Sequence, residues 1–289
     1  MAVTAIVNQK GGVGKTTVTL GLAAAGAALG RRVLVVDIDP QANATTGLGV
    51  WSPATTLSDA LEVEAAGSAR AAIVPSAWEV EGPAAVHVAA GSPSLAQREH
   101  QLAMDVIGAQ DRLALALSGV ADDYDEVLVD CPPSLGLLTV NALFAADRVV
   151  VVAEPAAWSS DGVDQILRNV ARIAERRGGR PEVAGIVVNR LGRTRDGAYW
   201  ASQLAEAHPG LVRSTVVRLR AAIAEAAARS LPVNALTRPG AAEAAEELDA
   251  LYRELFGVPE PATAGTPPGS HGADSSLHAA YDLGYAVRP

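Results

Sequence analysis

Short valine-rich apolar runs alternate along this chain with longer stretches that read as helices. The runs at 3–7, 33–38, 86–89, 127–130, 149–153, 183–188 and 214–217 are continuously apolar, so strands there are expected to be covered on both faces. Helices are expected at 16–29, 94–118, 136–145, 161–177, 197–207, 220–229 and 240–256. Strands joined by helices predict an α/β fold with a mostly parallel central sheet covered by helices on both faces. Such sheets bind ligands beyond the carboxyl ends of their strands. Lys10, Asp39, Asp130 and Asn189 each follow or end an apolar strand, which sets all four at one rim. The alternation stops after Gly257, where Pro259, Pro261, Pro267 and Pro268 stand among Gly, Ala, Ser and Thr. One domain is therefore expected over 1–257, followed by a flexible Pro/Gly/Ala-rich tail over 258–289.

Composition sharpens the picture at one place. The chain has two lysines, Lys10 and Lys15, against twenty-one arginines, and both lie in the run Lys10-Gly-Gly-Val-Gly-Lys-Thr-Thr17. A compact ammonium sits among phosphate oxygens as a point charge, whereas a guanidinium prefers flat two-point contacts. The run lies between the first expected strand and helix. It follows the phosphate-loop pattern G-x-x-x-x-G-K-[ST], except that Gln9 holds the first glycine position and Lys10 is an added lysine at the mouth. Gly11, Gly12 and Gly14 let backbone N–H groups turn inward around an anion, and the helix N-terminus beyond favours negative charge. Gly11, Gly12, Val13, Gly14, Lys15, Thr16 and Thr17 are expected to hold the phosphates of ATP. In this pattern Lys15 reaches the β- and γ-phosphates and the Thr16 hydroxyl ligates Mg2+.

Four segments appear in an order that resembles the ParA partition proteins of the ParA/MinD group of deviant Walker A P-loop ATPases. They are Lys10–Thr17, Val33–Asn43 with its Asp-Ile-Asp-Pro core, Tyr124–Gly136 with Asp-Cys-Pro-Pro, and the strand Gly185–Asn189. The resemblance runs over about residues 1–256. It implies Mg-dependent ATP hydrolysis, with Asp130 as the metal-holding Walker B aspartate and Asp39 orienting the attacking water. Asp37, two residues earlier on the strand, is expected to support the metal shell. Lys10 matches the family's extra lysine, which reaches the partner's ATP in a nucleotide-sandwiched homodimer; Glu154 is implied to touch the nucleotide of the facing subunit. The Asn189 amide can donate to and accept from an adenine edge, and an ordinary turn asparagine fits the position equally well.

Charge and cysteine usage narrow the partners. The formal net charge is −9, yet residues 168–240 carry thirteen arginines against five acids, which suggests one basic face. In the family, the ATP dimer binds double-stranded DNA without reading sequence, and a ParB-like centromere-binding protein stimulates hydrolysis. Arg218, Arg220 and Arg229 are the expected DNA contacts here. The chain departs from the family's Val-Arg-Leu-Ser-Glu-Ala by having Ala221-Ala-Ile-Ala-Glu-Ala226, so Ala222 stands where the arginine is expected. A solvated arginine-rich face, and a relative that positions a protein cargo or regulates a partner without segregating DNA, stay open beside partition. One cysteine, Cys131, excludes an intramolecular disulfide and disfavours an iron–sulfur relative; a small buried residue is expected there. The five histidines show no metal-ligand spacing. No apolar stretch reaches membrane-spanning length, and the tail lacks the basic amphipathic helix of MinD-type relatives. A cytoplasmic, nucleoid-associated protein without membrane attachment is expected.

Overall fold

The sheet has eight strands, β1 (Ala2–Val7), β2 (Arg32–Asp37), β3 (Ile73–Pro75), β4 (Ala85–Ala89), β5 (Glu126–Asp130), β6 (Arg148–Ala153), β7 (Glu182–Leu191) and β8 (Val217–Arg218), and all but β3 overlap the valine-, isoleucine- and leucine-rich runs expected from the sequence. They belong to a computed structural model that describes residues 2–79, 84–105, 107–157 and 159–259. The strand order is β3-β4-β2-β5-β1-β6-β7-β8, and every pairing is parallel except that of β3 with β4. The mostly parallel sheet expected from the continuous apolar runs is therefore present. β1 lies near the middle, with Ile6 beside Asp130 of β5 and Val7 beside Val151 of β6. On the far side of β5, Asp37 of β2 is level with Asp130.

Successive strand side chains point to opposite faces, so each strand feeds two cores. Ile6, Val33, Val35 and Leu128 face the layer formed by α1 (Lys15–Ala28) and α10 (Ala241–Phe256), where Leu22, Leu248 and Tyr252 are fully or almost fully enclosed. Val7, Val36, Val129 and Val151 face α5 (Arg112–Leu117), α6 (Leu137–Ala145) and α7 (Ser159–Arg176) through Leu113, Leu138 and Ile166. Residues 1–258 form one compact unit. The tail expected from 258 lies outside the described residues from 260 onward.

Three local expectations change. The helix expected over 94–118 is two helices, α4 (Ser94–Leu102) and α5. Between them the Asp105 carboxylate accepts from the Ile107 N–H at 3.1 Å and pairs with Arg112 at 2.5 Å, which turns the chain. The strand expected over 214–217 shrinks to Val217–Arg218, because the Ser214 and Thr215 N–H groups donate to the Glu254 carboxylate at 2.8 and 2.9 Å instead of a neighbouring strand. The strand expected to end at Asn189 continues to Leu191, with a register shift between those residues and Arg190 at φ 58°. The short helices α2 (Asn43–Gly47) and α3 (Leu57–Glu62), and the antiparallel edge strand β3, carry no strong sequence signal.

Candidate active site

The turn between β1 and α1 has the shape its glycines permit. Gly12 and Gly14 sit at φ 79° and 90°, in the left-handed region that side-chain-bearing residues avoid. Gly14 is also closely approached: a Cβ there would lie 2.1 Å from Asn189 Nδ2. Asn189 is buried at the carboxyl side of the sheet, and its amide donates to the Val13 carbonyl at 2.7 Å. The residue expected to read adenine thus also braces the phosphate loop. On the other flank Asn8 does similar work. Its amide donates to the Val152 carbonyl at 2.5 Å, and its Oδ1 accepts from the Lys10 N–H at 2.8 Å.

Lys15 opens α1 and is buried near the carboxylates of Asp130 and Asp39. Burial lowers its ammonium below the usual lysine value, while the Asp130 and Asp39 charges pull the other way. Asp130 is fully buried and accepts from Thr16 Oγ1 at 2.7 Å and from Thr19 Oγ1 at 3.0 Å. Burial, followed by the neighbouring Asp37 charge, pushes the Asp130 carboxyl up to about 7. Asp37 is pushed up to about 6 by burial, against hydrogen bonds from Thr45 and Asp39 that favour its charged form. Asp39 lies just past β2, where its Oδ1 accepts from the Gln41 N–H at 2.9 Å. Cys131 follows Asp130 as a fully buried small residue, as the sequence suggests, and burial raises its thiol well above the usual value.

A carboxyl whose pKa is raised by folding stabilises the fold while protonated, and that contribution fades as pH climbs through the raised value. Asparagine at 130 mimics the protonated side chain and does not titrate. Without nucleotide or magnesium, Asp130→Asn protein is expected to melt above the parent at pH 8, with the gap closing toward pH 5. Thermal unfolding across that range checks this. A gap that ignores pH would place the Asp130 titration elsewhere.

Lys10 stands exposed at the loop mouth, and its ammonium lies 3.7 Å from Glu154. Glu154 also pairs with Arg190 Nε at 3.4 Å, and Arg190 Nη1 donates to the Gly12 carbonyl at 3.2 Å. The added lysine therefore rests on an acid of its own subunit. Beside Thr17 opens a cavity of about 100 Å³ bounded by Asn189, Arg190, Arg218, Leu219 and Arg220. Its position next to the loop suits a nucleoside base.

The expected DNA contacts are engaged internally. Arg218 and Arg220 both pair with Glu247 of α10, at 3.5 and 2.6 Å. Arg229 pairs with Glu225 at 3.3 Å, and Arg238 shares that acid. Ala222, on α9 (Ala221–Ala228), is 1 % exposed and packs into the core, so its side chain does not face solvent. By contrast Arg168, Arg172 and Arg176 recur every fourth residue on the exposed side of α7 and enter no ion pair among the described residues. Residues the sequence reading passed over are Asn8, Thr19 and Thr45. Asn8 ends the first apolar run, and Thr19 lies one helical turn beyond Lys15, so spacing could have flagged both.

The geometry has known counterparts. The AAA domain family matches residues 1–182. The sporulation initiation inhibitor protein Soj of Bacillus subtilis is 35% identical over 79% of this chain and 88% of its own length. The chromosome partitioning protein ParA of Caulobacter vibrioides is 36% identical over 81% of this chain and 86% of its own. Among solved structures, the cobyrinic acid a,c-diamide synthase from Mycobacterium smegmatis with a bound ATP analog and magnesium superposes with a TM-score of 0.72 at 30% identity, covering 88% of this chain and 94% of that one. A glycine loop in left-handed turns, Asp130 bonded to the loop threonine, and relatives matched over most of their length make this chain a member of the ParA family of partition ATPases.

Proposed function

We propose that this protein is an ATP-driven dimerisation switch of the partition type: it closes into a homodimer on ATP, binds DNA without sequence preference, and is reset by partner-stimulated hydrolysis. The observation that carries the reading is the loop itself, with Gly12 and Gly14 in left-handed conformation, Lys15 buried, and Thr16 bonded to Asp130. Inward-turned amides, the helix terminus and Lys15 would neutralise the β- and γ-phosphates of ATP. Thr16 and Asp130 offer two adjacent oxygen donors, which fit Mg2+, an ion that takes one or two carboxylates and completes its shell with phosphate and water. Bound there, Mg2+ supplies charge neutralisation on the phosphate oxygens. Asp39 would orient water in line with the γ-phosphorus; the water oxygen would bond to phosphorus as the bond to the bridging oxygen breaks, the water proton would pass to solvent, and ADP and inorganic phosphate would leave. Asn189 and the cavity beside Thr17 would receive the base.

Lys10 would leave Glu154 and reach the ATP of the facing subunit, so turnover depends on dimerisation. The family membership and the local excess of arginine over acid in 168–240 support the DNA step. Phosphate contacts are assigned to Arg218, Arg220 and Arg229, with the unpaired α7 arginines as an additional basic stripe. A ParB-like protein is the partner that would stimulate hydrolysis. A specific observation favours a second reading, a cargo-positioning or partner-regulating ATPase: the three assigned arginines are already matched by Glu247 and Glu225. No helix among the described residues is long and apolar enough to cross a membrane.

The test is binding to random duplex DNA with ADP and with ATP over a salt series, alongside size measurements of parent and Lys10→Ala protein. Partition predicts binding with ATP only, loss of binding as salt rises, and loss of the ATP dimer in Lys10→Ala with ATP affinity retained. An ATP dimer that ignores DNA would favour the cargo reading. A normal ATP dimer and normal hydrolysis in Lys10→Ala would remove Lys10 from the mechanism.

A further inference from the structure

Asp37 is the carboxylate of the cluster whose bonds point away from the loop hydroxyls. Its Oδ2 accepts from the Thr45 N–H and from the Thr45 hydroxyl, each at 2.7 Å, and its Oδ1 accepts from the Asp39 N–H at 3.2 Å. The Thr45 hydroxyl gives its hydrogen to Asp37 and keeps a lone pair, which accepts from the Gly91 N–H at 2.8 Å. Asp37 and Thr45 are both buried. A Cβ on Gly91 would lie 2.8 Å from the Asp37 carboxyl carbon, so this contact depends on glycine. Three chain segments thus meet on one hydroxyl: the end of β2, the first turn of α2, and the loop after β4.

Asp39 lies between the tied points. Its N–H is fixed by Asp37, its carbonyl accepts from the Ala42 N–H at 2.9 Å, and Ala42 turns the chain into α2 at φ 52°. Residues 37–45 therefore form a small loop closed at its base by the Thr45–Asp37 bonds, with Asp39 near one end. We propose that Thr45 is a positioning residue: through Asp37 and Gly91 it fixes the backbone that aims the Asp39 carboxylate at the attacking water. This rests on the reading of Asp39 as the group that orients that water. Misplacing such a group by about 1 Å can lower turnover about 100-fold without touching ATP contacts. The threonine hydroxyl both donates and accepts at this point; valine keeps the shape and loses both hydroxyl bonds.

The experiment compares parent, Thr45→Val, Thr45→Ser, Asp39→Ala and the Thr45→Val/Asp39→Ala double variant, measuring single-turnover hydrolysis and the affinity for an ATP analog at saturating magnesium. Thr45→Val is expected to hydrolyse about 10- to 100-fold more slowly with analog affinity held within about twofold, a loss in kcat and not in binding. Thr45→Ser keeps the hydroxyl and should return turnover to within about threefold of the parent. In the Asp39→Ala background, Thr45→Val should change nothing further, because the group it positions is gone. Parental turnover in Thr45→Val overturns the proposal. So does an undiminished effect in the double variant, an equal loss of affinity and turnover, or a Thr45→Ser defect as deep as that of valine. Should the valine protein fail to fold, Thr45→Ser still tests the proposal, because a loss of turnover well beyond threefold there overturns it. Normal turnover in Asp39→Ala would defeat the Asp39 reading and this proposal together, whereas a slow Asp39→Ala beside a normal Thr45→Val defeats the proposal alone.

Discussion

ATP hydrolysis by Asp39→Ala protein is expected to fall about 100- to 10,000-fold, the range a positioned acid–base side chain contributes, while ATP binding survives. The split follows from where the residue stands. In the proposed mechanism phosphate affinity comes from the loop amides and Lys15, which begin at the carboxyl end of β1 and continue into α1. Asp39 comes from the neighbouring segment after β2, and its carboxylate accepts from the Gln41 N–H of its own turn. Removing its carboxylate leaves the phosphate cradle whole. The ATP-bound dimer should then accumulate, and any DNA complex that depends on it should persist longer than the parent's. Phosphate release measured beside equilibrium binding of a fluorescent ATP analog checks both halves. Parental phosphate release would transfer the water-orienting role to another residue.

Gly14→Ala is the second large effect, and it acts on binding. Alanine at φ 90° carries strain of about 1–3 kcal/mol, which by itself corresponds to roughly a 5- to 150-fold loss of ATP affinity if borne by the loop. The new methyl also meets the Asn189 amide at 2.1 Å, so that amide must move and give up the Val13 carbonyl. The two contributions separate in a cycle. Gly14→Ala/Asn189→Ala relieves the collision and keeps the backbone strain, so Asn189→Ala should cost less affinity in the Gly14→Ala background than in the parent. Equilibrium titration with an ATP analog reads all four proteins. An Asn189→Ala cost that is the same in both backgrounds would mean that the collision contributes nothing.

These two effects also mark the limit of what the chain discloses before folding. The loop was legible because its chemistry is local: glycines, lysine and threonine within eight residues, between an apolar run and a helix. The sheet was legible because parallel strands buried on both faces leave runs without polar interruption. Asp130 could be placed for the same reason, as the polar residue that ends such a run. The clamp on Asp39 could not be read so, because Asp37, Thr45 and Gly91 come together only when β2 and β4 pair. The Asn189–Val13 bond spans 176 positions and depends on β7 running past Asn189. The strand expected at 214–217 failed because Glu254, some forty residues later, offers its carboxylate to the same N–H groups that a ladder would use. Ala222 looked like a vacancy in a surface pattern, while its environment is the core beneath α9.

The sharing of Glu247 by Arg218 and Arg220 changes how such a surface counts toward a polyanion. The three side chains together carry one net positive charge, as do Arg229, Arg238 and Glu225. Binding strength to DNA falls with the logarithm of salt by about 0.9 for each phosphate neutralised. Two arginines bound to one glutamate present themselves as a single neutraliser until that glutamate is displaced. A surface built this way holds part of its charge in reserve: its apparent valence is set by the acids of α9 and α10, and any movement of those helices that frees an arginine raises the valence without adding a residue.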